Sequence, residues 1–122
     1  MSDQQVAVVT GGAAGIGAGI ASALSADGLD VFVLDNNPLH VEAYNTSNAL
    51  ARARLSDVTS PQSVSDEIAG IIQVVGRIDV LVNNAGVSGP TAPVEDVSPK
   101  DWQQTLDVSL SGAFHLTRVV VP

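Results

Sequence analysis

A cluster of glycines near the start of the chain limits what this sequence can fold into more than any other feature. Residues 10–17 read TGGAAGIG and follow a short apolar, mostly β-branched run at residues 6–9. After the cluster, apolar residues recur at helical spacing over residues 16–27. This order predicts a strand, a tight turn and a helix, and the backbone N–H groups at the start of such a helix can bind a diphosphate. For the glycines alone, a purely structural turn is the alternative.

Strand and helix patterns alternate along the rest of the chain. Gly28 is placed to end the first helix, and the apolar run at residues 31–34 predicts a second strand that closes at Asp35. A helix is predicted over residues 39–46, a third strand over 53–55 and a fourth strand over 80–83. Such alternation predicts an α/β fold with a doubly wound parallel sheet, forming one domain over residues 1–122.

Two further helices are predicted to begin at Ser-Pro pairs, at residues 60–61 and 98–99. The pair is typical of a helix start, because serine caps free backbone N–H groups and proline tolerates the first helical position. We expect the first of these helices to end at Gly76. The second should follow a loop at residues 86–93 and run almost to the C-terminus, with Trp102 as a packing anchor.

The composition excludes several classes of protein. The chain is 45% hydrophobic and has no cysteine, unlike a disordered tail or a disulfide scaffold. Its formal net charge of −8 disfavours a nucleic-acid partner. No apolar run approaches the roughly 18 residues of a membrane-spanning helix, and the N-terminus lacks the basic start of a secretion signal. We therefore expect a cytoplasmic protein without a membrane partner, and no residue spacing indicates a metal site.

Two motifs, T-G-x-x-x-G-x-G at residues 10–17 and N-N-A-G at residues 83–86, resemble those of the short-chain dehydrogenase/reductase family. The resemblance covers essentially the whole chain. It implies a Rossmann-like sheet, truncated to about four strands in the order 3-2-1-4, that binds a nicotinamide dinucleotide. The residues of the first turn that it assigns to the cofactor are Gly11, Gly15, Ile16 and Gly17.

The second motif ends the predicted fourth strand, where two adjacent amides are unusual in a strand. The resemblance implies that Asn84 and the backbone of Ala85 and Gly86 lie against the cofactor ribose. It also implies that Asn83 ties neighbouring strands together. A plain Asn-rich turn is the alternative.

Asp35 closes the second strand where a carboxylate can accept hydrogen bonds from an adenosine ribose and repel a 2′-phosphate. In the family, NADP users usually carry a basic residue in the glycine turn or just after the second strand. Here those positions are Ala13, Ala14 and Asn36. The expected cofactor is therefore NAD, although Asp35 could instead only cap the following turn.

Asp57 and Val58, after the third strand, match the family's acidic and apolar pair that contacts adenine. In that pattern the carboxylate takes the exocyclic amine and the backbone takes the ring edge. The alternative is that Asp57 only forms a turn before the helix at residues 60–61.

Catalytic residues are not found. In the family a tyrosine acts as acid/base, with its pKa lowered by a lysine four residues later, but Tyr44 is followed four residues later by Asn48 and no Tyr-x-x-x-Lys exists. Ser109 occupies the position of a family asparagine that holds a water in the proton-relay path. An equally good interpretation is that the Ser109 hydroxyl only forms a hydrogen bond with the backbone of its own helix. His40 and His115 are expected to be structural and to lie away from the crevice at the strand ends.

The leading hypothesis is that this chain is the NAD-binding half of an oxidoreductase that transfers hydride between nicotinamide and an alcohol or ketone. On its own the chain is expected to be inactive. The alternatives are a stand-alone NAD-binding or regulatory module and an inactive fragment. We also expect homo-oligomers, since the last helix resembles one in family interfaces and the fourth strand leaves an open edge.

Overall fold

The structure is a computed structural model that describes residues 4–47, 52–86 and 92–121. Strands and helices alternate along it, as the sequence predicts. In chain order they are β1 (Val6–Thr10), α1 (Gly15–Ala26), β2 (Asp30–Asp35), α2 (Pro38–Ser47), β3 (Ala53–Leu55), α3 (Pro61–Val75), β4 (Val80–Val82), a short 3-10 turn (Val94–Asp96), α4 (Pro99–Leu106), a π-helical segment (Asp107–Ser111) and α5 (Gly112–Val120). Residues 87–91 of the predicted loop lie outside the described residues.

The four strands form one parallel sheet in the order β3-β2-β1-β4, which confirms the predicted fold class and strand order. Alternate residues of β1 pack on opposite faces: Val6 and Val8 belong to a core cluster with residues of α3 and α5, whereas Ala7 and Val9 belong to a cluster with residues of α1 and α2. Helices therefore cover both faces, and this is why the two central strands read as continuous apolar runs.

Two helix starts follow the predicted capping chemistry. The Ser60 hydroxyl accepts a hydrogen bond from Ser63 N at 3.2 Å, and the Ser98 hydroxyl accepts one from Asp101 N at 3.0 Å. Helix α3 ends at Gly76, whose φ is 81°. The start of α3 matters for the site, because the β3–α3 turn before it and the π-helical segment line one cavity.

The last helical region differs from the prediction in two ways. A π-helical segment separates α4 from α5, where a single uninterrupted helix was expected. Trp102 is 61% exposed, so its prediction as a packing anchor is wrong; the buried side chain of the last helical region is Leu116 of α5. Ile16 is likewise 79% exposed instead of joining the apolar stripe of α1, whose buried positions are Gly17 and Ala21.

Candidate functional site

A cavity of about 310 Å³ lies at the carboxyl ends of the parallel strands. This is the position where open α/β sheets bind ligands, in the crevice where the strand order reverses. Turns that follow all four strands contribute to it, together with one residue of the π-helical segment. Its lining is Gly11, Ala14, Gly15, Leu34, Asp35, Asn36, His40, Ser56, Val58, Ala85, Gly86 and Val108.

Six residues predicted to bind the cofactor are therefore brought together in one cavity: Gly11, Gly15, Asp35, Val58, Ala85 and Gly86. The other four, Ile16, Gly17, Asp57 and Asn84, do not line it. Ile16 is exposed at the start of α1, beside the cavity.

Gly15 and Gly17, at the start of α1, differ in how much space surrounds them. Gly15 has a φ of 60°, and no atom lies within 4 Å of where its Cβ would be. Gly17 is packed so closely that a Cβ there would meet the Gly11 carbonyl oxygen and lie 2.6 Å from Asn84 Nδ2. Glycine at 17 thus lets α1 pack directly on the turn after β4, and glycine at 15 leaves the cavity side of the turn uncovered.

Thr10 joins β1 to the turn after β4 and was not singled out by the sequence analysis as a site residue. Its buried hydroxyl accepts hydrogen bonds from Asn84 N at 3.1 Å and Ala85 N at 3.0 Å. The same hydroxyl lies within donating distance, 3.4 Å, of the Val82 carbonyl oxygen. The signal that could have found it is a hydroxyl residue at the end of a buried strand, where an unpartnered hydroxyl is costly.

Asn84 is the amide that links the strands. Its Nδ2 donates to the Gly11 carbonyl oxygen at 3.1 Å, which connects β4 to the glycine turn. Asn83 was predicted to make this kind of link, and the structure corrects that: Asn83 Nδ2 donates to Thr117 Oγ1 of α5 at 3.3 Å. Both amides follow β4, which ends at Val82, and their side chains reach different neighbours: Asn84 the glycine turn and Asn83 helix α5.

Asp35 both caps a turn and faces the cavity. Its Oδ1 accepts from Asn37 N at 3.0 Å, and its Oδ2 accepts from Ala13 N at 3.2 Å in the glycine turn. Each carboxylate oxygen can accept a further hydrogen bond. The turn interpretation of Asp35 therefore holds, and the same capping bonds hold the carboxylate in the cavity wall.

His40 lines the cavity, contrary to the expectation that it lies away from the crevice. Asn37 Oδ1 accepts from Leu39 N at 3.0 Å and from His40 N at 3.2 Å, so α2 begins directly after the Asp35 turn. With so short a connection, the first turn of α2 stays at the strand ends and places His40 beside Asp35. His115 lies on the opposite face of the sheet, in α5.

A second cavity of about 640 Å³ adjoins the first and shares Asn36, Ser56, Val58 and Val108 with it. Asp57 lines this second cavity. Its Oδ1 accepts from Thr59 N at 2.9 Å and from Thr59 Oγ1 at 2.6 Å, so the turn interpretation of Asp57 holds alongside its place in the cavity wall. Oδ2 makes no hydrogen bond within residues 4–47, 52–86 and 92–121.

Neither Ser109 nor Tyr44 lines the cavity. Ser109 is exposed on the π-helical segment, and its Oγ lies 3.4 Å from the position a Cβ would take at Gly86. Tyr44 belongs to α2 and packs against the core cluster on the α1 and α2 face of the sheet, where burial raises the pKa of its phenol. Tyr44 is therefore not poised as a base.

In the part of the chain that is described, no three His or carboxylate side chains cluster as metal ligands, and no helix is long and apolar enough to cross a membrane.

A family profile described as short chain dehydrogenase matches residues 5–122. The chain is 39% identical to a D-threitol dehydrogenase of Mycolicibacterium smegmatis, over 97% of this chain and 46% of that protein. A solved structure of NAD⁺-bound xylitol dehydrogenase superposes with a TM-score of 0.89 at 33% identity, over 95% of this chain and 46% of that one. A metagenomic short-chain oxidoreductase in complex with NADP superposes with a TM-score of 0.88 at 32% identity, over 97% and 55%.

The chain thus spans about half the length of the curated relatives it matches. The solved structures that resemble it include one that holds NAD⁺ and one that holds NADP. A nicotinamide cofactor is therefore common to these proteins, whereas the choice between the two dinucleotides differs among them.

Proposed function

The chain belongs to the short-chain dehydrogenase family, and we propose that it binds NAD at the strand-end cavity as the cofactor half of an oxidoreductase. When bound, the nicotinamide would accept hydride from an alcohol or return it to a ketone. The observation that carries the proposal is the placement of the open Gly15 turn and the Asp35 carboxylate in the walls of one cavity.

The two ends of this cavity suit different parts of a dinucleotide. The glycine turn offers backbone N–H groups and the start of α1 to a diphosphate, since the N-terminal end of a helix attracts an anion. Gly11 and Gly15, which line the cavity, would allow the diphosphate to come close to the backbone, and exposed Ile16 would lie beside it. Gly17 would act indirectly, by letting α1 pack against the turn after β4. Asn84 would act through the turn after β4, and Ala85 and Gly86 would form the wall against the nicotinamide ribose.

Preference for NAD over NADP rests on Asp35. A carboxylate held in the cavity wall accepts hydrogen bonds from ribose hydroxyls and repels a 2′-phosphate. The neighbouring residues Ala13, Ala14 and Asn36 supply no positive charge.

Adenine would lie against Val58, between the two cavities. The Val58 N–H has no hydrogen-bond partner within the described residues, and it can donate to a ring nitrogen. The second oxygen of Asp57 can accept from the exocyclic amine.

Proton transfer is the step this chain does not supply. Hydride transfer to or from a carbonyl carbon needs an acid/base group at the reacting oxygen, and the sequence has no Tyr-x-x-x-Lys. Ser109 can offer a hydroxyl beside Gly86 but has no lysine partner. We therefore propose that the chain alone does not turn over substrate.

Two copies of the chain are proposed to pack through the last helical region, where four large apolar side chains are exposed. These are Trp102, Leu110, Phe114 and Val121. Exposed apolar surface of this kind usually marks a contact surface. The acidic, cysteine-free composition is consistent with action in the cytoplasm, without a nucleic-acid partner.

Calorimetric titration of the chain with NAD and with NADP tests the proposal. We expect NAD to bind in the micromolar range and NADP more weakly. No heat with either dinucleotide, from a protein that unfolds cooperatively, would contradict the cofactor site and favour an inactive fragment.

A further inference from the structure

Val58 is held from two sides by α5. Its carbonyl oxygen lies 2.9 Å from His115 Nδ1. Its side chain packs on Gly112 so closely that a Cβ there would lie 2.8 Å from Val58 Cγ2. Val58 is only 8% exposed and lines both cavities. The contacts from α5 therefore fix the position of Val58 in the proposed adenosine site.

In the hydrogen bond between His115 and Val58, the imidazole is the donor. A carbonyl oxygen only accepts, so Nδ1 carries the proton and donates it. The rest of the imidazole borders a separate cavity of about 220 Å³ between α3 and α5, which Arg118 also lines. His115 therefore contacts Val58 on the side of α5 and lines neither cavity of the proposed cofactor site.

The hydrogen bond also decides which backbone group of Val58 is left for a ligand. The carbonyl is taken by His115, and the N–H has no partner in the part of the chain that is described. A purine that approaches Val58 thus meets a donor and not an acceptor. That polarity matches a ring nitrogen, which accepts a hydrogen bond.

We propose that His115 is a positioning residue for the adenosine end of the cofactor site, acting through its Nδ1 hydrogen bond to the Val58 carbonyl. The inference rests on the proposed NAD site. Loss of the bond frees the Val58 carbonyl to turn toward the ligand and lets the β3–α3 turn shift, so binding of the adenosine part weakens. The nicotinamide part, at the other end of the cavity, is unaffected.

The test separates the two ends of the dinucleotide by titrating NAD, AMP and nicotinamide mononucleotide. For His115→Ala we expect the Kd of NAD and of AMP to rise by the same factor, about three- to tenfold, as for one lost hydrogen bond. The Kd of the mononucleotide should stay within the error of the measurement. Arg118→Ala is the matched control, because Arg118 lies three residues further along α5 and borders the same outer cavity.

Two conservative variants test the same hydrogen bond if the alanine variant folds poorly. His115→Asn places an amide N–H at the reach of Nδ1 and should restore AMP binding to within about twofold of the unmodified chain. His115→Gln moves the same group one carbon further out and should not restore it.

The outcomes are distinct. If the unmodified chain binds neither NAD nor AMP, the proposed function fails before this inference is reached. If it binds both, and His115→Ala lowers only the melting temperature or weakens all three ligands equally, His115 is structural and the inference is wrong. Equal binding by the Asn and Gln variants would overturn it as well.

Discussion

The side-chain amide of Asn45 hydrogen-bonds to both backbone groups of Ala53, donating to its carbonyl oxygen at 3.0 Å and accepting from its N–H at 2.9 Å. Ala53 begins β3, the edge strand of the sheet on this side. One side chain from α2 thus takes the place of a neighbouring strand and leaves less unpaired backbone at the edge.

Replacement of Asn45 by alanine should lower the free energy of unfolding by about 1 to 3 kcal/mol, since two backbone groups at a partly buried edge lose their partners. Urea denaturation followed by circular dichroism measures the change. Thr46→Ala, on the same helix, removes only a hydroxyl that bonds within α2 and serves as control. A loss no larger than that of the control would show that the edge does not need Asn45.

Thr10→Val should destabilise the chain more than Thr10→Ser. Valine has nearly the same shape but leaves Ala85 N without its acceptor and Asn84 N with only the Val82 carbonyl oxygen, at a cost of about 2 kcal/mol. Serine keeps the oxygen and loses one methyl group, about 1 kcal/mol. Because the same bonds position Ala85 in the cavity wall, Thr10→Val should also weaken NAD binding. Equal stability of the two variants would contradict this reading of the hydroxyl.

Asp79 makes the stability of the chain depend on acid pH. The Arg77 guanidinium first, and the Val6 N–H second, hold the pKa of Asp79 below its ordinary value. A carboxyl whose pKa is lower in the folded state stabilises it above the unfolded pKa of about 3.9. This contribution is lost as pH falls through the folded pKa.

Asp79→Asn should therefore be less stable than the unmodified chain at pH 7, with the difference shrinking as pH falls below about 4. Urea unfolding of both proteins at pH 7, 4 and 3 gives the two curves. A difference that stays constant over this range would mean that the charge of Asp79 does not contribute.

Asp35→Asn should reduce the preference for NAD over NADP by about tenfold or more, because the amide neither repels a 2′-phosphate nor accepts from ribose hydroxyls as strongly. Titration with both dinucleotides gives the ratio of the two Kd values. Asp30→Asn removes the same charge at the opposite end of β2 and should leave the ratio unchanged. If both variants alter it equally, only net charge is involved.

The unmodified chain should self-associate through the last helical region. Size-exclusion chromatography with light scattering, run over a range of concentrations, should show a dimer or larger species that Leu110→Glu with Phe114→Glu converts to monomer. Val94→Glu is the control, since Val94 is 86% exposed but lies outside that region. A stable monomer of the unmodified chain at high concentration would contradict the prediction.

The elements of this fold were predictable because their signals are local. The serine caps at 60 and 98, the glycine that ends α3 and the apolar runs of the strands each act within a few residues, and the structure has them where the patterns indicate. The strand order 3-2-1-4 came from the family resemblance and is confirmed.

Errors occurred where a side chain's surroundings depend on distant parts of the chain. Trp102 and Ile16 have apolar side chains at helical spacing, but a periodic pattern does not reveal how far a neighbouring layer extends. His40 was placed outside the site because the predicted helix over residues 39–46 did not reveal that its first turn borders the cavity at the strand ends. The π-helical segment that carries Ser109 has no local signal comparable to a proline or a cap.

The amino-acid sequence by itself determined the kind and order of the elements, the position of the glycine turn at a strand end, and the negative charge that closes β2. Only the tertiary structure decided that Thr10 meets Asn84 and that His115 reaches Val58. Capping and periodicity are short-range effects of the backbone. Contacts across dozens of residues depend on how the helices pack on the sheet, which no single segment encodes.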